Sequence, residues 1–281
     1  MKSFLIITKD EKEKNMGLAR RMASEIELKG GKACIAIEPP RGNDDPLPVP
    51  GGTDCILTVG GDGALIRATR RTFGTGVPLL GINTGHLGYL CDLDSETVFD
   101  AIDSLVAGNY DIEERMLLEG GLESNSKRVA ALNDIVISSE NPAQVISITV
   151  YVNGTVLYRF NGDGVIFSTP TGSTAYNLSA NGPIVDPLIE LIVMTPINPH
   201  TLISRSIILA STDEIAVEIV RRRTHTREAA IVSYDGNSIE EFLPGDRVSV
   251  RKCAAKARIV RLSDMNFLDR IGRKLKSESG L

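Results

Sequence analysis

Three short stretches of this sequence have residue types and spacings that could do chemistry. The first is Gly60-Gly61-Asp62-Gly63, set between the apolar run Cys55–Val59 and the helical segment Ala64–Phe73. Paired glycines let the backbone approach a bulky anion, and a helix N-terminus adds partial positive charge. An Asp there repels an anion, so phosphate binding alone does not account for Asp62. It fits a base that takes a proton from an attacking hydroxyl, or a carboxylate that binds one. A plain Asp-Gly turn with a helix cap is the alternative. The second stretch is Asn161–Val185, with Asp163 between two glycines and then Ser168–Thr174, where five of seven residues carry hydroxyls. One helix cap needs one hydroxyl, so the excess suits a polar ligand. The third is Asn133-Asp134, two polar residues inside the β-like run Ala130–Ser138. They are costly there unless satisfied. They suit ribose hydroxyls, with a strand bulge or edge turn as the alternative.

The elements that must position these residues follow from apolar periodicity. Ser3–Thr8 and Ala33–Ile37 are continuous apolar runs, which predict strands buried on both faces. Between them Met16, Ala19, Met22, Ala23 and Ile26 recur at helical spacing and stop at Gly30-Gly31. Glu38–Gly52 is a Pro-rich loop. Cys55–Val59 and Val77–Asn83 are further strands, and Val98, Ile102 and Leu105 mark a helix ending at Gly108. From Asp111 to Leu262 the pattern changes to short β runs: Met116–Leu122, Arg128–Ser138, Val145–Val152, Val156–Phe160, Val165–Phe167, Leu191–Thr195, Ser206–Leu209, Ile215–Val220, Ala229–Tyr234, Arg247–Lys252 and Ala257–Leu262. Turn residues such as Asn153-Gly154 separate most of them. Phe267–Lys276 reads as a last helix. The fold class is α/β plus β: a Rossmann-like N-terminal α/β domain over 1–112, then a predominantly antiparallel β-domain over 113–263. The segment 264–281 is expected to pack back on the first domain. Gly74-Thr75-Gly76 runs into Pro78, so no Rossmann dinucleotide fingerprint is present.

Bulk properties exclude several classes. With 281 residues and 42% hydrophobic composition the chain can bury a core in one large or two ordinary domains. A net charge of −5 argues against a general nucleic-acid binder. No apolar run approaches the ~20 residues that span a bilayer, and MKSFLIITKDEKEK lacks the pattern of a signal peptide. Cys34, Cys55, Cys91 and Cys253 have no CxxC spacing. They predict buried thiols in a reducing cytoplasm and no metal site.

In order along the chain, GGDG at 60–63, Gly-His-Leu-Gly-Tyr at 85–89, Asn133-Asp134, Gly162-Asp163-Gly164 and Thr169-Pro-Thr-Gly-Ser-Thr-Ala-Tyr176 together resemble the NAD kinases. These enzymes phosphorylate the 2′-hydroxyl of the adenosine ribose of NAD to make NADP. Pro199-His200-Thr201-Leu202 adds to the resemblance, which runs to the Asp264–Arg270 region. GGDG is also found in diacylglycerol and sphingosine kinases, so the 169–176 block and the Asn-Asp pair carry most of the specificity. A lipid- or sugar-directed kinase and a catalytically silent NAD(P)-binding regulator are the rival readings.

The resemblance implies a role for each matching position. Asp62 would accept the proton of the ribose 2′-hydroxyl, and Gly60, Gly61 and Gly63 would lie at the ATP phosphates. Asn133 and Asp134 would hold ribose or adenine groups, and Asp163 the nicotinamide end. Thr174, Ala175, Tyr176 and Ser179 would form an adenine–ribose wall, with Asn177 and Leu178 as NAD-binding residues between them. Arg67, Gln144, Asn161, Asn198 and Asn237 stand at further NAD-contact positions. Magnesium would arrive with ATP, and the family's habit implies a homodimer or homotetramer. Ala64, Tyr89, Asn181 and Ser206 depart from the family's usual Thr, Phe, Gly and Pro. The remaining features have plain expectations. Arg221–Arg223 and Arg227 form a solvated turn, Arg70 and Arg71 are solvated, His200 holds a turn, and His86 and His225 have no visible partner.

Overall fold

The computed structural model describes residues 1–9, 13–40, 45–85, 88–141, 144–201, 204–220, 229–262 and 267–272. Expectations for His86, Leu202, Arg221–Arg223, His225, Arg227 and the C-terminal segment other than 267–272 lie outside them, as does part of the Pro-rich loop. The chain divides into two compact units, Met1–Glu114 with Ala257–Leu281, and Arg115–Lys256.

The first unit is an α/β layer. Strands β1 (Ser3–Thr8), β2 (Lys32–Ile37), β3 (Cys55–Gly60), β4 (Leu79–Asn83) and the short β5 (Leu93–Asp94) run parallel in the order β2-β1-β3-β4-β5. Helices α1 (Glu13–Leu28), α2 (Asp62–Arg71) and α3 (Val98–Ala107) cover the sheet. Leu18, Ala19, Met22 and Ile26 of α1 and Val98, Ile102 and Leu105 of α3 share one core with Phe4, Ile6, Leu57, Val59, Leu80 and Ile82. That is the one-sided apolar stripe that makes a surface helix pack. Gly30 takes a left-handed φ of 78° and stops α1. β2 corrects the expectation of burial on both faces. Among the described residues it pairs only with β1, its residues are exposed or half-buried, and Cys34 is exposed rather than buried. An apolar run marks an edge strand as readily as a central one. Arg71, expected to be solvated, is 5% exposed. Its carbonyl accepts the Leu47 N–H at 2.9 Å, because the Pro-rich loop folds over the end of α2.

The second unit is a β-sandwich built from β6 (Asp111–Leu122), β7 (Val129–Ala131), β8 (Asp134–Ser139), β9 (Ile146–Val152), β10 (Thr155–Gly162), β11 (Gly164–Ser168), β12 (Leu191–Ile197), β13 (Ile207–Ala210), β14 (Ile215–Val220), β15 (Ala230–Tyr234), β16 (Asn237–Phe242) and β17 (Arg247–Arg261). One layer has the order β10-β9-β14-β17, with β6 and β7 beside β17; the other is β13-β12-β11-β8-β15-β16. Ile148, Val150, Val217 and Val248 from the first layer meet Ile135, Val165, Phe167 and Val232 from the second. Strands such as β14 alternate buried and half-buried residues, as two packed sheets require. Arg128–Ser138, expected as one run, breaks at Leu132-Asn133. Arg247–Lys252 and Ala257–Leu262, expected as two runs, form the single strand β17, which begins in the second unit and ends in the first.

Candidate active site

In the α/β unit, the GGDG turn sits where β3 hands over to α2. Gly60 ends the strand, and its carbonyl accepts the Thr84 N–H at 3.1 Å. A Cβ on Gly60 would press on the Ala64 methyl at 2.7 Å, so the tight turn needs glycine. Gly61 is the extended N-cap of α2, and no side chain caps that helix. Its first N–H groups are therefore left to water or a ligand.

Asp62 opens α2 and its carboxylate is cupped by backbone. Oδ2 accepts the Tyr89 N–H at 2.6 Å, and Oδ1 accepts those of Leu90 at 3.1 Å and Cys91 at 3.0 Å. A Cβ on Gly88 would overlap the carboxylate, which accounts for that glycine. A carboxylate has about four lone-pair sites. Three are met by backbone N–H groups, the Cys91 thiol also bonds the carboxylate, and among the described residues Oδ2 accepts a single N–H, that of Tyr89. Asp62 thus ties the turn to residues 89–91. The Arg67 guanidinium is paired with Glu38 through Nε and Nη2, Nη2 to Oε2 at 3.1 Å, and the Glu38 side chain is 5% exposed. Its Nη1 faces Gly63, 3.2 Å from where a Cβ would stand.

In the β unit, Asn133 and Asp134 stand at a strand break organised by Asp235. The Asp235 carboxylate accepts the N–H groups of Leu132 at 2.9 Å, Asn133 at 2.7 Å and Asp134 at 3.1 Å. Asp134 is 5% exposed. Burial, helped by the nearby Asp235 charge, pushes its carboxyl up to about 7. Among the described residues the Oδ1 of Asn133 is buried without a hydrogen-bond partner. An orphaned buried acceptor costs about 1–3 kcal/mol, and a ligand N–H or O–H would relieve it.

The hydroxyl-rich run corrects an expectation. Its hydroxyls do not point outward. Thr169 Oγ1 donates to Leu132 O at 2.6 Å and accepts the Gly172 N–H at 3.0 Å. Ser168 Oγ donates to Thr169 O at 2.8 Å, and Ser173 Oγ to Val185 O at 3.2 Å. Arg115, itself buried, reaches Thr171 Oγ1 at 3.4 Å. The hydroxyls brace the loop against the Asn133 turn, and a Cβ on Gly172 would overlap the Asn133 backbone. The run then forms a 3-10 turn, Thr171–Thr174, and the short helix α4, Tyr176–Ser179. Tyr176, Leu178 and Ser179 are exposed, and Thr174 and Ala175 half-buried. Asn177 is not: its Nδ2 donates to Ser173 O at 3.1 Å and Pro183 O at 3.0 Å, and its Oδ1 accepts from Thr195 Oγ1 at 2.7 Å. Its side chain serves the interior.

Asp163 pairs with Asn198, whose Nδ2 donates at 2.8 Å, and Asn161 bonds Ser147. The Gln144 N–H donates to Asn141 O at 2.9 Å, and the Asn237 Nδ2 to Asp235 O at 3.1 Å. The chain does not bring Asp163 to Asn133. Asp134 pairs with Ser168 at one end of β11, and Asp163 precedes the other end. Five residues of strand separate them by about 16 Å.

Two family models match this chain: the ATP-NAD kinase N-terminal domain over residues 48–110 and the ATP-NAD kinase C-terminal domain over 132–262. The chain belongs to the ATP-NAD kinase family. The NAD kinase of Agathobacter rectalis is 43% identical over 99% of this chain and 100% of its own length. That of Lachnospira eligens is 37% identical over 98% and 100%. A yeast NADH kinase complexed with NADH superposes with a TM-score of 0.87 at 24% identity, covering 98% of this chain and 87% of its own. An Archaeoglobus fulgidus NAD kinase in complex with ATP gives 0.79 at 24% identity, covering 99% of each. At that identity the two structures speak to fold, and they agree on the α/β and β architecture.

Sequence reasoning about this NAD kinase family member missed Asp235, which shapes the Asn133-Asp134 turn. A signal was present: Asp235-Gly236 has φ values of 51° and 70° and joins β15 to β16. Asp-Gly between apolar runs is a strong hairpin mark.

Proposed function

We propose that this protein transfers the γ-phosphoryl of ATP to the 2′-hydroxyl of the adenosine ribose of NAD, making NADP. The α/β unit supplies the uncapped α2 N-terminus for phosphate oxygens and the Asp62 carboxylate for the hydroxyl proton. The β unit supplies the buried Asn133 Oδ1 and Asp134, whose carboxyl is raised to about 7, for the nucleoside. The observation that carries the reading is the cupped Asp62. A carboxylate held in fixed orientation at a phosphate-type turn suits proton removal from a poor nucleophile. The rival lipid- or sugar-directed kinase finds no support among the relatives, which carry the name NAD kinase.

Among the described residues no group of three His, Cys, Asp or Glu could hold a metal ion. Magnesium therefore enters this proposal as part of the MgATP substrate. A cytoplasmic location is part of it too; among the described residues no helix is long and apolar enough to cross a membrane. So is a homodimer or homotetramer. Asp163 and Asn198 lie at the far end of β11 from Asn133, so a second copy is one way for both ends to serve a single dinucleotide.

The test is NADP formation from NAD, ATP and magnesium, comparing wild type with Asp62→Asn. The asparagine NH₂ would face backbone donors, so melting and NAD binding must be measured alongside. A loss of about 10²–10⁴ in activity, with NAD binding kept and the fold intact, is expected. Full activity in the variant would remove the base role. NAD binding without turnover in the wild type would favour the silent regulator.

A further inference from the structure

A pocket of about 530 Å³ opens in the α/β unit beside the GGDG turn, lined by Lys14, Gly17, Leu18, Arg21, Thr84, Ser95, Glu96 and Phe99. Thr84 ties it to the turn through its N–H bond to Gly60. It also lies past the carboxyl end of β4, the side of an open α/β sheet where ligands bind. Lys14, Gly17, Leu18 and Arg21 recur at i, i+3, i+4 and i+7, so α1 turns one face to it.

Three observations point to an anionic occupant. Lys14 has no ion-pair partner among the described residues. Arg21 lies 4.7 Å over the Phe99 ring and, among the described residues, its guanidinium is in no salt bridge and Glu96 is the one acid lining the pocket. Arginine stacked on an aromatic face is held in place while its N–H donors stay open. Finally, Gly17 stands inside a helix, where glycine costs stability, yet a Cβ there would meet nothing within 4 Å. No protein neighbour demands that glycine; the open space beside it is the pocket.

We infer that this pocket holds the polyphosphate chain of the phosphoryl donor, gripped by Lys14 and Arg21, with Gly17 leaving room for it. Thr84 and Ser95 offer hydroxyls to the same oxygens. The inference rests on the kinase reading above and specifies the donor side of that reaction.

Initial rates against ATP concentration at saturating NAD test it, in Lys14→Ala, Arg21→Ala, Gly17→Leu and the control Arg20→Ala. Arg20 is exposed on the same helix but does not line the pocket. The first three should raise KM for ATP about tenfold, the loss of one charge-assisted contact, with KM for NAD unchanged. Arg20→Ala should leave both alone. A structural role for Gly17 alone would give a more stable Gly17→Leu with unaltered KM. Inorganic tripolyphosphate should compete with ATP in the wild type and more weakly in Arg21→Ala; competition by adenosine alone would place the nucleoside there and overturn the assignment. Unchanged KM for ATP in the three pocket variants, or an equal rise in Arg20→Ala, would also overturn it. If the wild type makes no NADP, the kinase reading fails by itself. Calorimetric binding of ATP to wild type and Arg21→Ala then decides the pocket separately: weaker binding in the variant sustains it and equal binding sinks it.

Discussion

At the residue scale the site is organised by two carboxylates that accept backbone N–H groups, Asp62 from residues 89–91 and Asp235 from residues 132–134. Between them they fix the GGDG turn and the Asn133-Asp134 turn, each within its own unit. Asp134 is the titratable consequence. Its folded carboxyl sits at about 7, raised by burial and then by Asp235, against about 4 in an unfolded chain. Below pH 4 both states carry the proton and the group is neutral to stability. Between about 4 and 7 the unfolded chain ionises first, so Asp134 destabilises the fold progressively as pH rises, and above 7 the full penalty is present. Asp134→Asn removes this dependence. Thermal melting of both proteins from pH 4 to 8 should show the variant gaining on the wild type through that window; parallel curves would refute it. The sequence showed that Asn133 and Asp134 needed partners inside a β run. It did not show Asp235, because a chain position a hundred residues away reaches them only through the pairing of β8 with β15.

At the element scale, glycine positions and apolar periods were legible and side-chain direction was not. The hydroxyls of Ser168–Thr174 gave the same composition whether they faced a ligand or the protein, and they face the protein. β17 read as two runs because Ala254 to Lys256 interrupts the apolar alternation, yet pairing with β14 at one end and β4 at the other keeps it continuous. Asn177 shows how the α4 wall is held. Its amide spans Ser173 O, Pro183 O and Thr195 Oγ1 while 0% exposed, and a Cβ on Gly182 would overlap it. Asn177→Ala strands those groups in the interior. A loss on the order of 2 kcal/mol or more is expected in urea unfolding, with weaker NAD binding because Tyr176 and Ser179 lose their support. A variant as stable as wild type would show that the loop does not depend on the bracket.

At the scale of the whole molecule, the chain leaves the α/β unit after residue 114 and returns to it at residue 257. Arg270, on the short helix 267–272, shows what the return contributes. It is 7% exposed, pairs with the Asp92 carboxylate and donates from Nη1 to Cys91 O at 3.3 Å. The Asp92 side chain is 1% exposed and also meets Arg261 at 3.5 Å and the Leu262 N–H at 2.8 Å. Cys91 is one of the three residues whose N–H groups cup Asp62. The end of the chain therefore holds the segment that holds the proposed base. Nothing in the spacing of 267–276 announces this, because helical periodicity says which face is buried and not which carboxylate it meets. Breaking a buried ion pair from one side costs about 3–5 kcal/mol, and Arg261 keeps Arg270→Ala at the low end of that range. Arg270→Lys restores the charge but not the planar fork that reaches Asp92 and Cys91 O together, so it should recover stability more than turnover. Urea midpoints and NADP-forming rates for the two variants test this jointly. If Arg270→Ala matches wild type in both, the return segment does not position Asp62. If it loses stability but keeps its turnover where folded, the ion pair serves the unit and not the site.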